Sequence, residues 1–347
     1  MTPPTHEFCV TGLLIHETFC VSRFYPPTIF NLFGGVMTPP YDTKKRRDKK
    51  NMKNTIFTGM ATAIVTPMAS DGSIDYEALG RFIEFQIENG INALVVMGTT
   101  GENATIEPED QKKVIAYTVE KVAKRVPVIA GTGTNNTEHV LHNTKAACEV
   151  GADAILVVTP YYNKATQNGL IKHFTTVADA STVPMILYNV PSRTGCSLQP
   201  KTVAKLAEHP NIAAIKEATG NMAQMVEIMH LCGDKIDVYS GEDALTVAMM
   251  AMGGKGTISV LSNVAPREAV AMTDACKAGD YAAAAKMQCD LLPLINALFS
   301  EVNPIPAKAG TAALGFGTDT LRLPLTPMED ATKAVLFAEM RKLGMKV

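Results

Sequence analysis

From residue 56 onward, short apolar runs alternate with longer segments that mix apolar and polar residues. Each run is of strand length, nearly continuously apolar and often β-branched, which is typical of strands buried on both faces of a parallel sheet. Eight such runs occur, at 61–65, 93–97, 128–130, 154–158, 185–188, 213–215, 237–239 and 256–260.

The segments between the runs have helical periodicity. In the segment 75–89, apolar side chains recur at helical spacing, at Tyr76, Leu79, Phe82, Ile83 and Ile87. Either Ser73 or Asp75 suits the start of this helix, and Gly90 suits its end.

Eight strand–helix repeats of even length predict an α/β fold, the (β/α)8 TIM barrel. A doubly wound open sheet is the competing architecture, but no G-x-G-x-x-G sequence opens the repeats. Further helical segments follow the eighth strand, at 281–287 and 329–343. We therefore expect a catalytic barrel over 54–280 and a small helical appendage over 281–347, with the active site where the strands end.

Residues 1–53 differ from the rest of the chain. They contain three Pro-Pro pairs and the basic run 44–50, and no helical or alternating period is sustained. We expect this extension to be disordered, with the basic run a solvated linker rather than a nucleic-acid contact. Met52 begins a plausible alternative start, so residues 1–51 are also interpreted as the product of an upstream start codon.

The composition restricts the class of protein. The chain of 347 residues has a formal net charge of -2, which gives no reason to expect a nucleic-acid or membrane-surface partner. No apolar run reaches the roughly 18 residues of a membrane span. The seven cysteines are scattered without a C-x-x-C pair, which indicates reduced thiols in the cytoplasm. The histidines are also dispersed, and neither a metal site nor a cofactor is expected.

The sixth apolar run ends in a lysine, Lys216. A lysine at the end of a barrel strand is partly desolvated, which lowers its pKa and supplies the neutral amine that attacks a ketone. The alternative is a lysine that reaches solvent or pairs with a carboxylate.

Other strand ends carry groups that suit a small anionic substrate. Strand two ends in Gly-Thr-Thr-Gly, where backbone N–H groups and the hydroxyls of Thr99 and Thr100 suit a carboxylate. Tyr162 and Tyr188 follow strands four and five and could relay protons, although most such tyrosines only pack. Arg193 is a candidate for binding a substrate carboxylate, or else a surface arginine.

Taken together, five segments resemble the dihydrodipicolinate synthase family of the N-acetylneuraminate lyase superfamily. The resemblance runs from about Phe57 to the C-terminus. The segments are Gly-Thr-Thr-Gly-Glu at 98–102, Thr-Pro-Tyr-Tyr-Asn at 159–163, Tyr-Asn-Val-Pro-Ser-Arg-Thr-Gly at 188–195, Ile-Lys-Glu-Ala-Thr-Gly at 215–220 and Asn-Pro-Ile-Pro at 303–306.

The resemblance implies a class I lyase that joins pyruvate to L-aspartate 4-semialdehyde on the diaminopimelate and lysine pathway. Lys216 would form the imine, and Thr99, Tyr188 and Tyr162 would relay protons, with Tyr162 supplied by a neighbouring subunit of a dimer or tetramer. Binding residues would be Thr100 for pyruvate, Arg193 for the second substrate, and Gly241 and Ile258 as lining of the pyruvate pocket.

The family's lysine-feedback site is only partly preserved. Asn103, Asn135 and Tyr161 fit it, but His139 stands where lysine-sensitive members have a glutamate, and Pro108 and Gln111 replace histidines. Since the acidic partner for the inhibitor's amine is lost, we expect weak or absent inhibition by L-lysine.

Two other functions remain open. An N-acetylneuraminate lyase or a keto-deoxy-sugar acid aldolase would share the strand-six lysine and the tyrosine. The doubled Thr99-Thr100 and the arginine at 193 favour the synthase over these aldolases. The second alternative hypothesis is a catalytically inactive barrel that serves as a binding protein. The presence of the full set of Lys216, Thr99, Tyr162 and Tyr188 disfavours it.

Overall fold

The computed structural model describes residues 55–347, so the predictions for the N-terminal extension lie outside the described residues. Eight parallel strands close into a barrel in chain order, with β8 paired to β1. The strands are β1 Gly59–Ala63, β2 Ala93–Val96, β3 Val128–Gly131, β4 Ala154–Val158, β5 Met185–Asn189, β6 Ile212–Glu217, β7 Asp237–Ser240 and β8 Gly256–Ser259. The predicted TIM barrel is confirmed.

Helices separate the strands and then continue beyond the barrel. Within the described residues they are α1 Tyr76–Glu88, α2 Pro108–Val122, α3 Thr137–Glu149, α4 Gln167–Ala180, α5 Pro191–Thr194, α6 Pro200–Leu206, α7 Met222–Cys232, α8 Thr246–Ala251, α9 Pro266–Ala278, α10 Tyr281–Leu298, α11 Ile305–Ala313 and α12 Asp330–Lys342. The last three form the expected C-terminal helical region. No helix of residues 55–347 is long and apolar enough to cross a membrane.

The ends of three elements refine the boundaries that the sequence predicted. Of the two candidate caps for α1, Asp75 serves, because its side chain accepts a hydrogen bond of 2.8 Å from the Ala78 N–H. Helix α10 is longer than the alanine-rich stretch that predicted it, and it continues through Pro293 to Leu298. Strand β1 begins and ends two residues before the predicted run, since the apolar run continues past the last paired residue.

The core has two layers, because strand side chains alternate between faces. The inner layer fills the barrel and includes many small side chains, such as Ala61, Ala93 and Ala214. The outer layer packs between the sheet and the helices. Phe57 stacks on Tyr239 within the inner layer, with ring centroids 4.2 Å apart.

Candidate active site

Because side chains alternate along a strand, the Lys216 side chain points into the barrel. It shares a strand face with Ala214 and Ala218, which both belong to the inner layer, whereas Glu217 faces the other way. The register of β5 and β6 places Tyr188 directly beside Lys216. The Lys216 ammonium nitrogen lies 4.4 Å from the centroid of the Tyr188 ring.

The Lys216 amine is nearly enclosed. The residue is 6% exposed, and no hydrogen bond or ion pair of its Nζ is found within residues 55–347. Burial lowers the pKa of Lys216 to about 8, although the carboxylates of Asp243 and Glu242 oppose this shift. The amine is therefore buried, unpaired and easily made neutral, which are the properties of a nucleophile.

A cavity of about 150 Å³ opens above this amine at the carboxyl ends of the strands. Among the residues that line it are Thr99, Thr100, Tyr188, Arg193, Lys216 and Glu242. A second cavity of about 170 Å³ shares Thr99, Tyr188 and Arg193 and extends to Asn103, Gln111 and Tyr161.

Tyr188 and Thr99 of the turn after β2 line the same two cavities. Burial raises the pKa of Tyr188 to about 12, although the neighbouring Arg193 and Thr99 oppose this shift. The hydroxyl is therefore protonated at neutral pH and can donate or pass a proton without carrying charge. The two residues predicted to relay protons within one chain thus line the same cavities.

The predicted third member of the relay lies elsewhere. Tyr162 follows β4 in a left-handed backbone conformation, with φ of 72°, and is 88% exposed. It lines neither cavity of its own chain. This position leaves the Tyr162 ring free to contact another molecule.

Gly241 lies against Lys216. A Cβ atom at this position would approach Lys216 Cε to 3.1 Å and Ala218 Cβ to 2.6 Å. A larger residue would therefore displace the lysine stem. Ile258, the other predicted pocket residue, is fully buried in the inner layer, and Val260 lines the cavity instead.

Asn303 connects the two candidate carboxylate-binding groups, a role that its sequence motif does not predict. Its side-chain amide donates to Thr100 Oγ1 at 3.0 Å, and its backbone carbonyl accepts from Arg193 Nη2 at 3.0 Å. Because Thr100 Oγ1 accepts the Asn303 bond, its own hydrogen can point to a ligand. Only the Asn-Pro-Ile-Pro segment itself could have signalled this position.

A buried ion pair holds the turn after β2 from outside the barrel. Lys308 of α11 lies 2.5 Å from Glu102, and both side chains are 1% exposed. The second oxygen of Glu102 accepts the Arg322 N–H at 3.1 Å. The C-terminal region therefore fixes the loop that carries Thr99 and Thr100.

No group of three or more histidine, cysteine or acidic side chains that could hold a metal ion occurs among residues 55–347. Cys196, which had no assigned role, is buried and its thiol faces the Ala165 carbonyl oxygen at 3.5 Å. Burial raises the pKa of this thiol, so it is a poor nucleophile.

Comparison with known proteins assigns this barrel to a family. The profile of the Dihydrodipicolinate synthetase family matches residues 56–342. The chain belongs to this family. The 4-hydroxy-tetrahydrodipicolinate synthase of Geotalea uraniireducens is 52% identical over 290 residues, which cover 84% of this chain and all of that protein.

Solved structures agree with the family assignment. The chloride-inhibited dihydrodipicolinate synthase of Acinetobacter baumannii in complex with pyruvate has a TM-score of 0.82 and 41% identity, over 84% of this chain and 99% of that one. The first monomeric dihydrodipicolinate synthase variant has the same score and identity, over 83% of this chain and 97% of that one.

Proposed function

We propose that this chain is a cytoplasmic 4-hydroxy-tetrahydrodipicolinate synthase, a class I lyase that condenses pyruvate with L-aspartate 4-semialdehyde in diaminopimelate and lysine biosynthesis. The observation that carries the proposal is the buried, unpaired Lys216 amine at the mouth of a barrel of this family. With a pKa of about 8, about a tenth of this amine is neutral at pH 7. The names of the relatives favour this function over sugar-acid aldolases.

The first half of the reaction activates pyruvate. The Lys216 amine attacks the ketone carbon, the adduct loses water, and a protonated imine forms. This cationic nitrogen withdraws electrons, so a methyl proton leaves and an enamine results. Thr99 and Thr100 would hold the pyruvate carboxylate during these steps. Gly241 would shape the pocket beside Lys216, and Ile258 would support it from the inner layer.

The second half joins the aldehyde. The enamine carbon attacks the aldehyde carbon, and the oxygen takes a proton from Tyr188 through the relay that Thr99 and Tyr162 complete. Arg193 would hold the carboxylate of the second substrate. The substrate's amine then closes the ring on the imine carbon and releases Lys216.

An oligomer follows from the position of Tyr162. Its 88% exposure in a single chain supports its donation to the site of a neighbouring subunit, in a dimer or in a tetramer of two dimers. Sedimentation measurements give the oligomeric state. Mixing a Lys216→Met chain with a Tyr162→Phe chain should restore activity in hybrid dimers, and an absence of restoration would contradict the shared relay.

Two measurements test the function itself. Borohydride reduction in the presence of pyruvate should attach the substrate's three carbons to Lys216, as read by mass spectrometry of peptides. A coupled assay should then show turnover with L-aspartate 4-semialdehyde and none with sialic acid. An enzyme that cleaves sialic acid, or one that traps no pyruvate, would refute the proposal.

A further inference from the structure

Among residues 55–347, four carboxylates lie at or just after strand ends at the carboxyl end of the barrel, and three of them are engaged in bonds that hold the fold. Glu102 pairs with Lys308 at 2.5 Å. Glu217 accepts the Thr219 N–H at 2.8 Å and the side-chain amide of Asn189 at 3.0 Å. Asp243 accepts the backbone N–H groups of residues 260 and 261, both at 2.9 Å.

Glu242 is the exception. Its backbone N–H and carbonyl both bond to the Ser240 hydroxyl, but within residues 55–347 its carboxylate has neither a hydrogen bond nor an ion pair. The side chain is half-buried and lines the cavity together with Lys216 and Arg193. A half-buried carboxylate without a partner is unfavourable unless a ligand provides one.

The second substrate has a group that needs such a partner. L-aspartate 4-semialdehyde carries a carboxylate, an α-ammonium and an aldehyde. Arg193 suits the carboxylate, and the enamine on Lys216 meets the aldehyde carbon. The ammonium then requires an acceptor in the same cavity, and a carboxylate makes the strongest bond to it.

We propose that Glu242 binds the α-ammonium of the second substrate and thereby selects amino-aldehydes over aldehydes that lack the amine. This inference rests on the proposed function. With Arg193 and the enamine it completes three points of attachment, which also distinguish the L from the D enantiomer. Glu242 is thus a specificity-determining residue for the second substrate, and in the pyruvate half-reaction its charge acts only by raising the pKa of Lys216.

Glu242→Gln tests the inference, since it removes the charge and keeps the shape. We expect kcat/KM for L-aspartate 4-semialdehyde to fall about ten- to a hundred-fold, mainly through KM, because a charge-assisted hydrogen bond is lost. The inhibition constant of succinic semialdehyde, which lacks the ammonium, should change by less than about twofold. Glu242→Asp should recover part of the loss.

The alternative role of Glu242 is to act on Lys216 through its charge. In that case Glu242→Gln would change kcat/KM for L-aspartate 4-semialdehyde and the inhibition constant of succinic semialdehyde by the same factor, and the inference would be overturned. Glu120→Gln on the exposed face of α2 is the matched control and should leave every constant unchanged. Failure of the unaltered enzyme to trap pyruvate would instead refute the proposed function, so the two failures are distinguishable.

Discussion

Two buried lysines lie near the mouth of the barrel, and they have opposite surroundings. Lys308 of α11 is fully buried and paired with Glu102. Lys216 of β6 is 6% exposed, and within residues 55–347 its amine lies over the face of the Tyr188 ring and forms no ion pair. Burial lowers the pKa of both amines, but only for Lys308 does a bonded carboxylate counteract the shift.

The difference arises from where the nearest carboxylates point. Glu217 follows Lys216 in sequence but lies on the opposite strand face, and Asp243 is held by backbone N–H groups. Glu102 instead turns its side chain toward α11. One lysine is therefore available to react with a ketone, whereas the other stabilises a loop.

The largest expected effect is the loss of activity on Lys216→Met. This change keeps the length of the side chain but removes the nucleophile, so we expect kcat to fall at least about a thousandfold, or ~4 kcal/mol of barrier. The free energy of unfolding should stay the same or rise, because a desolvated amine is removed. A variant that still forms a borohydride-stable adduct with pyruvate would contradict this assignment.

Lys308→Met should instead lower the stability of the fold and leave imine formation on Lys216 intact. It leaves the Glu102 carboxylate buried without its partner, so we expect the free energy of unfolding in urea to fall by about 3–5 kcal/mol. Pyruvate trapping on Lys216 should persist while the protein is folded. The double variant Glu102→Gln, Lys308→Met should regain much of the stability, and a single variant as stable as the parent would show that the pair is not structural.

The rate of imine formation on Lys216 should depend on pH. Only neutral Lys216 attacks pyruvate, and its pKa is lowered to about 8, so imine formation should slow as pH falls below 8. Between pH 8 and pH 6 the neutral fraction falls about fiftyfold. Stopped-flow measurement of imine formation gives the midpoint, and a midpoint near the ordinary value of a lysine would contradict the effect of burial.

Asn303→Ala should cause a smaller change. The Thr100 hydroxyl loses the side-chain amide that orders it, whereas the bond from Arg193 to the backbone carbonyl is kept, so we expect KM for pyruvate to rise about three- to tenfold. Asn303→Asp is the sharper comparison, because a carboxylate near two substrate carboxylates should weaken binding further. An unchanged KM in steady-state kinetics would show that Asn303 does not contribute to pyruvate binding.

The smallest expected effect concerns L-lysine. Its amine would meet His139 rather than an acidic side chain, so the initial rate should be nearly unchanged when L-lysine is added. His139→Glu should introduce measurable inhibition. Strong inhibition of the unaltered enzyme at low lysine concentration would show that another group takes the place of the missing carboxylate.

The sequence alone determined the barrel and the candidate catalytic residues at its strand ends. Apolar periodicity is a local property, so it located all eight strands to within two residues and placed Lys216 at the carboxyl end of β6. The Gly-Thr-Thr-Gly turn and Tyr188 were found for the same reason, since each lies at a strand end. Their catalytic roles remain predictions.

Only the tertiary structure decided which of these polar groups have partners. The contact between Glu102 and Lys308 spans 206 residues, and that between Thr100 and Asn303 spans 203. No periodicity records such pairings, because they depend on how α11 packs over the end of β2. Among residues 55–347, neither the Lys216 amine nor the Glu242 carboxylate has a hydrogen-bond or ion-pair partner, whereas Lys308 is paired with Glu102. This difference leaves one buried lysine available to react while the other supports the loop.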